Sequence, residues 1–114
     1  NTGWKTKTDM VLFEKTYHIT VKARAYNETD GITSAQKSAI SDYKVHFDER
    51  KKEIEALLHS YSGKDCAERF QPRTLLFERD GGYALLCDDR DDPDDGIAVM
   101  LVPEQKVLSQ DEYL

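Results

Sequence analysis

The chain has 114 residues, 39% of them apolar, with 22 acidic and 16 basic side chains and a formal charge of -6. Eleven aromatics and frequent Val, Ile and Leu exclude a disordered chain, and no apolar run approaches the roughly 20 residues that cross a bilayer. A net negative charge counts against nucleic-acid binding, which wants a basic face. At this length one domain, residues 1–114, is the expected organisation, and neither an internal repeat nor a linker interrupts it.

Trp4 to Phe13 is rich in Thr, Val and aromatics and reads as a strand, with Glu14-Lys15 as the turn. In the next segment, Thr16 to Tyr26, Tyr17, Ile19, Val21, Ala23 and Ala25 alternate with His18, Thr20, Lys22 and Arg24. That period of two gives one buried and one solvated face, so the two segments form an antiparallel hairpin. Asn27 to Gly31 then breaks the strand.

Thr33 offers an N-cap, Gln36 completes a capping box, and Ile32 precedes them as the apolar neighbour. Ile40, Phe47, Ile54 and Tyr61 follow at intervals of seven, with Tyr43, Leu57 and Leu58 between them. Two helical turns bring the seventh residue nearly back under the first, so these share a face. The constant phase predicts one long helix ending at Ser62-Gly63, and a break near His46–Asp48 is compatible with the same pattern. A coiled coil is disfavoured because the heptad fails at Arg50.

Cys66 to Pro72 reads as a connector. Leu75-Leu76-Phe77 and Tyr83 to Cys87 are strands joined by the tight-turn signal Asp80-Gly81-Gly82. After an acidic interruption, Ile97 to Val102 is a strand stopped by Pro103, and Lys106 to Leu108 is a candidate for a short last one. Tyr113 and Leu114 are read as packing at the end. Trp4 likewise fits core or sheet-edge packing better than a binding hot spot. The order β-β-α-β-β-β predicts an α+β fold in which an antiparallel sheet of about five strands packs against the one long helix.

The charge is unevenly placed. Residues 1–79 carry 14 basic and 12 acidic side chains, residues 80–114 carry 2 and 10. Asp88, Asp89, Asp91, Asp92, Asp94 and Asp95 crowd into eight residues with Arg90 and Pro93. Three readings are open. Divalent-metal binding is disfavoured by Pro93 and by the order of the Asp residues, which does not match a calcium loop. A solvated loop needs no further explanation. A docking surface for a basic partner would use the focused negative field of packed carboxylates.

Other chemistry is sparse. His18, His46 and His59 form no same-turn pair, Cys66 lies in an ordinary connector, and Ser60 to Gly63 has no nucleophile-elbow context. Cys66 and Cys87 make no CxxC or metal-ligand spacing. With no apolar leader core in the N-terminal NTGWKTKTDM, a cytoplasmic protein with reduced thiols is expected. No catalytic residues, metal or cofactor are expected.

Gly96-Ile97-Ala98-Val99, then Val107, then Gln110-Asp111-Glu112-Tyr113-Leu114, together with Trp4, Phe13 and Ile32-Thr33-x-x-Gln36, span nearly the whole chain. This pattern resembles a family of small bacterial α+β proteins of uncharacterised function, in which an acidic loop precedes a Gly-Ile-Ala-Val strand and a Gln-Asp-x-Tyr-Leu end. Some members resemble immunity proteins of contact-dependent growth inhibition systems. The resemblance implies a protein whose partner is a cognate toxin, in keeping with the cytoplasmic, non-enzymatic reading of the residues, and the acidity points to a basic toxin, such as a nuclease. Asp88, Asp89, Asp91, Asp92, Asp94 and Asp95 are then the candidate toxin-binding residues. The competing expectations are a small structural or regulatory module without a toxin, and a carboxylate-rich metal-binding accessory protein.

Overall fold

The computed structural model describes residues 3–25 and 31–114. Strands β1 (Gly3–Leu12) and β2 (Lys15–Arg24) form the expected antiparallel hairpin. Its turn falls on Phe13-Glu14, one residue earlier than expected, with φ of 51° and 65°. Two successive positive φ values are what a two-residue turn needs to match the twist of its strands. The expected loop at 27–31 lies outside the described residues except for Gly31.

Helix α1 (Ser34–Val45) starts at the predicted capping box: the Gln36 N–H donates to Thr33 Oγ1 and the Thr33 N–H to Gln36 Oε1. The single long helix of the sequence reading is divided at His46, where α1 ends and α2 (Phe47–Ser62) begins. Only one residue leaves the helical conformation, so the seven-residue phase survives the break. The guanidinium of Arg50 spans it, donating to Asp42 at 2.9 Å on one side and to Glu53 at 2.9 Å on the other. Two shorter segments follow a twisted sheet more closely than one straight helix can.

Helix α2 ends at Gly63 as predicted. The expected connector instead contains a helical turn, α3 (Cys66–Arg69), and runs directly into β3 (Phe70–Phe77). Then come β4 (Tyr83–Asp89), β5 (Ile97–Val102), β6 (Lys106–Ser109) and a terminal turn, α4 (Gln110–Tyr113). The fold is therefore α+β with six strands rather than about five, and four helical segments rather than one.

Sheet order follows chain order, β1 to β6. Every neighbouring pair is antiparallel except β2 and β3, which are parallel. The correction has a simple cause: the chain between these strands carries α1, α2 and α3 across one face, and such a crossover returns it in the same direction. On that face Ile19, Val21, Leu75, Phe77, Leu85, Val99 and Leu101 pack against Tyr43, Ile54 and Leu58. Tyr43 stands edge-on to Phe77 and Tyr83, with ring centroids 6.2 and 6.1 Å away. A smaller cluster of Ala84, Ala98 and Met100 occupies the opposite face under Leu86, Leu108 and Tyr113. No helix among the described residues is long and apolar enough to cross a membrane.

Gln36 does more than cap. It is 0% exposed, and its Nε2 donates to the carbonyls of Arg24 (2.8 Å) and Phe77 (3.2 Å), the last residues of the two parallel strands. Replacing Gln36 with Leu orphans both carbonyls and the Thr33 N–H. Urea unfolding of that variant is expected to show a loss of about 2–4 kcal/mol, and a loss below about 0.5 kcal/mol would refute this role.

Candidate functional site

The six candidate carboxylates lie at the end of β4 and in the loop to β5, and the structure divides them. Asp89, the last residue of β4, is only 5% exposed. Its carboxylate accepts from Arg69 Nε at 2.8 Å and Nη2 at 3.0 Å, and its Oδ1 also accepts from the Asp91 N–H at 2.9 Å. Arg69 ends α3, where its guanidinium covers the ring of Phe70, 4.9 Å from the centroid. The bonds from Arg69 hold the Asp89 carboxyl below its ordinary pKa, despite the burial that opposes ionisation. Asp88 receives Arg73 at 2.6 Å, and Asp91 receives Arg90 at 3.0 Å. Arg90 also lies 3.4 Å from Asp65. Three of the six are thus matched by arginines.

Asp92, Asp94 and Asp95 make no ion pair among the described residues. The loop is shaped by backbone bonds from the Asp92 N–H to the Asp89 carbonyl and from the Asp95 N–H to the Asp92 carbonyl. The Oδ1 of Asp95 accepts from the Asp111 N–H at 3.2 Å. That contact brings in α4, where Ser109 and Glu112 form a second capping box. Asp94, Asp95 and Asp111 consequently share one end of the molecule, while the Glu112 carboxylate turns back to accept from Ser109. Asp94, Asp95, Asp111, Gln110 and the 65%-exposed Leu114 line a shallow hollow of about 370 Å³ there. Sequence reading missed Asp111 and Glu112, although the Ser109-x-x-Glu112 capping signal was present.

Gly96 and Gln110 lock this end together. Gln110 Nε2 donates to the Cys87 carbonyl at 2.9 Å, and the Gln110 N–H donates to the Gly96 carbonyl at 2.9 Å. A Cβ on Gly96 would stand 2.1 Å from the Cys87 oxygen and 2.4 Å from Gln110 Nε2, so no side chain fits there. The Gly-Ile-Ala-Val and Gln-Asp-x-Tyr-Leu segments are therefore two halves of one joint.

The remaining candidates are dispersed. His18 bonds Asp9, while His46 sits at the helix break with Asp42 and Glu49 within 3.6 and 3.5 Å. Cys66 and Cys87 are free and buried, and burial pushes both thiols up, away from the reactive thiolate. Among the described residues no three His, Cys, Asp or Glu side chains converge in a way that could hold a metal ion. Trp4 lies on the edge strand, 43% exposed, and Tyr113 is half-buried against the smaller cluster.

No protein-family model, curated protein or solved structure matches the chain.

The depressed Asp89 pKa carries a pH dependence of determinate sign. A carboxyl that ionises more readily folded than unfolded stabilises the fold above its unfolded pKa of about 3.9, and that contribution fades as pH falls through the folded value. Asp89→Asn should lose about 2 kcal/mol at neutral pH and show a shallower stability decline than the parent below about pH 4, both measured by urea unfolding. Equal acid slopes in the two proteins would show that another group sets the acid limit.

Proposed function

We propose that the chain is a stoichiometric binding protein that engages a basic partner through its acidic end, and that the partner is a toxin it neutralises by occlusion. The observation carrying this reading is the separation of the carboxylates. Asp88, Asp89 and Asp91 are matched by Arg73, Arg69 and Arg90, while Asp94, Asp95 and Asp111 line one hollow, with Asp92 exposed in the same loop, and none of these four has a basic partner within the described residues. Such an acidic rim raises the encounter rate with a cationic surface and repels anionic ones. Leu114 adds an exposed apolar element to the hollow, and backbone bonds shape the loop beside it, which lowers the ordering cost of docking.

A nuclease fits this chemistry, because its cleft must be positive to hold phosphates. The resemblance of the Gly-Ile-Ala-Val and Gln-Asp-x-Tyr-Leu segments to immunity proteins of contact-dependent growth inhibition supports the same reading, in which the protein acts in the cytoplasm. The chain contributes shape and charge, not catalysis.

Co-expression with the protein encoded by the adjacent reading frame tests this directly. Cells should survive with the wild-type chain and die without it; equal killing in both cases refutes the neutralising role. With that partner in hand, Asp92→Asn, Asp94→Asn and Asp111→Asn combined should slow association about tenfold at low salt and flatten its salt dependence, with stability changed by less than about 0.5 kcal/mol. Unchanged association would place docking elsewhere.

A further inference from the structure

The sheet has two edges, and they are treated differently. Strand β6 is four residues long and continues directly into α4, which packs back on it and on β5. Strand β1 is ten residues long, pairs with β2 from Gly3 to Leu12 without a bulge, and contains no proline. Its residues from Trp4 to Asp9 are all exposed. A long, regular, uncovered edge is a template for another strand.

The turn fixes which backbone groups face outward. In a two-residue hairpin the flanking residues, here Leu12 and Lys15, exchange both hydrogen bonds. Met10, Thr8, Thr6 and Trp4 therefore point their backbone groups at β2, and Val11, Asp9, Lys7 and Lys5 point theirs away from it. Phe13, next in the outward series, donates its N–H to Glu55 of α2 at 2.8 Å. The other outward groups have no strand beside them among the described residues.

Charge then selects a partner and a register. When β1 lies antiparallel to β1 of a second copy with the two-fold axis at Thr8, Lys7 stands opposite the second copy's Asp9, and Asp9 opposite its Lys7. Thr6 meets Met10, Trp4 meets Leu12, and Lys5 falls beside Val11, diagonal to the same Asp9. Neither Lys5 nor Lys7 has an ion pair among the described residues. Asp9 uses one oxygen for His18, which leaves the other available. The neighbouring registers set like charges against each other. An axis at Lys7 opposes Lys7 to Lys7 while setting Lys5 against Asp9, an axis at Asp9 opposes Asp9 to Asp9, and an axis at Thr6 opposes Lys5 to Lys7; of these four registers, only the axis at Thr8 pairs opposite charges with no like charges directly opposed. Like charges directly opposite destabilise a sheet, and opposite charges stabilise it.

We propose that the chain forms a two-fold symmetric dimer by antiparallel pairing of β1 with β1, making one continuous sheet of twelve strands. The ladder supplies affinity, and the reciprocal Lys7–Asp9 pairs supply register. The face carrying Thr6 and Thr8 also carries Trp4 and lines a groove of about 380 Å³ beside Ile40, Tyr43 and Phe47. In the dimer the second copy's Phe13 turn is placed next to Trp4, the only tryptophan in the chain.

Light scattering and sedimentation of the full chain at submillimolar concentration test the proposal. A dimer is expected. Lys7→Asp and Asp9→Lys should each weaken it about tenfold, while the double exchange should restore it, since two symmetric cross-strand charge pairs are reversed and then remade. Thr8→Cys should give a disulfide-linked dimer on mild oxidation, because residues facing each other at a non-hydrogen-bonded position approach to about 4.5 Å between Cα atoms. Thr6→Cys, opposite Met10, should not. Far-UV circular dichroism of these exposed-site variants separates a lost dimer from a lost fold. A monomer at all concentrations overturns the proposal, as does a dimer that the double exchange fails to restore or that Thr6→Cys cross-links as readily as Thr8→Cys. A chain that is monomeric alone and accepts only a foreign strand on β1 also overturns it.

Discussion

The architecture turns on one buried amide. Strands β2 and β3 are the only parallel neighbours, so their C-terminal ends lie side by side, and the chain leaving β2 must pass over the sheet as helices before returning. Gln36 sits where that passage begins. Its Oε1 accepts from Thr33, and its Nε2 donates to the carbonyls of both strand ends. Thr33 in turn donates through its hydroxyl to the Arg79 carbonyl at 2.8 Å, and Arg79 reaches the Gly31 carbonyl at 3.0 Å. Helix start, strand ends and the turn after β3 are thereby fixed by one network whose buried polar groups are satisfied, so their desolvation is compensated rather than left as a penalty.

Much of this was legible in the sequence where the determining contacts are local. The capping box at Thr33-Gln36, the alternation in β2, the Asp80-Gly81-Gly82 turn and the stop at Gly63 each depend on residues within a few positions of one another. The parallel pairing was not, because hairpin signals at both ends of the chain suggested a wholly antiparallel sheet. The crossover through the helices decides the direction of β3, and that is a property of the whole topology. The break at His46 was legible only as a permitted variant, because a single non-helical residue leaves the apolar phase unchanged.

The acidic segment shows the same limit in electrostatics. Counting charge along the chain assigns all six aspartates to one feature, but Arg69 lies 20 residues from Asp89 in sequence and Arg73 lies 15 from Asp88. Folding sorts carboxylates that are equivalent by composition into a buried structural group, arginine-matched surface groups, and a rim joined by residues from the end of the chain. The partly shielded Arg69–Asp89 pair gains from two aligned bonds and a backbone donor, whereas the exposed Arg73–Asp88 pair is screened and contributes little.

The interlock at Gly96 and Gln110, taken with the burial of Asp89, pins both ends of the intervening loop independently of what the loop contains. Residues 90–95 hang between two anchors that draw their strength from the body of the protein. Asp92, Pro93 and Asp94 can be exchanged without reopening the core, since neither anchor uses their side chains, whereas Asp91 and Asp95 also touch Arg69 and the Asp111 N–H. The arrangement is a cassette: its frame has no room for the one carbon by which alanine exceeds glycine, while the middle of the loop between the anchors is open to replacement.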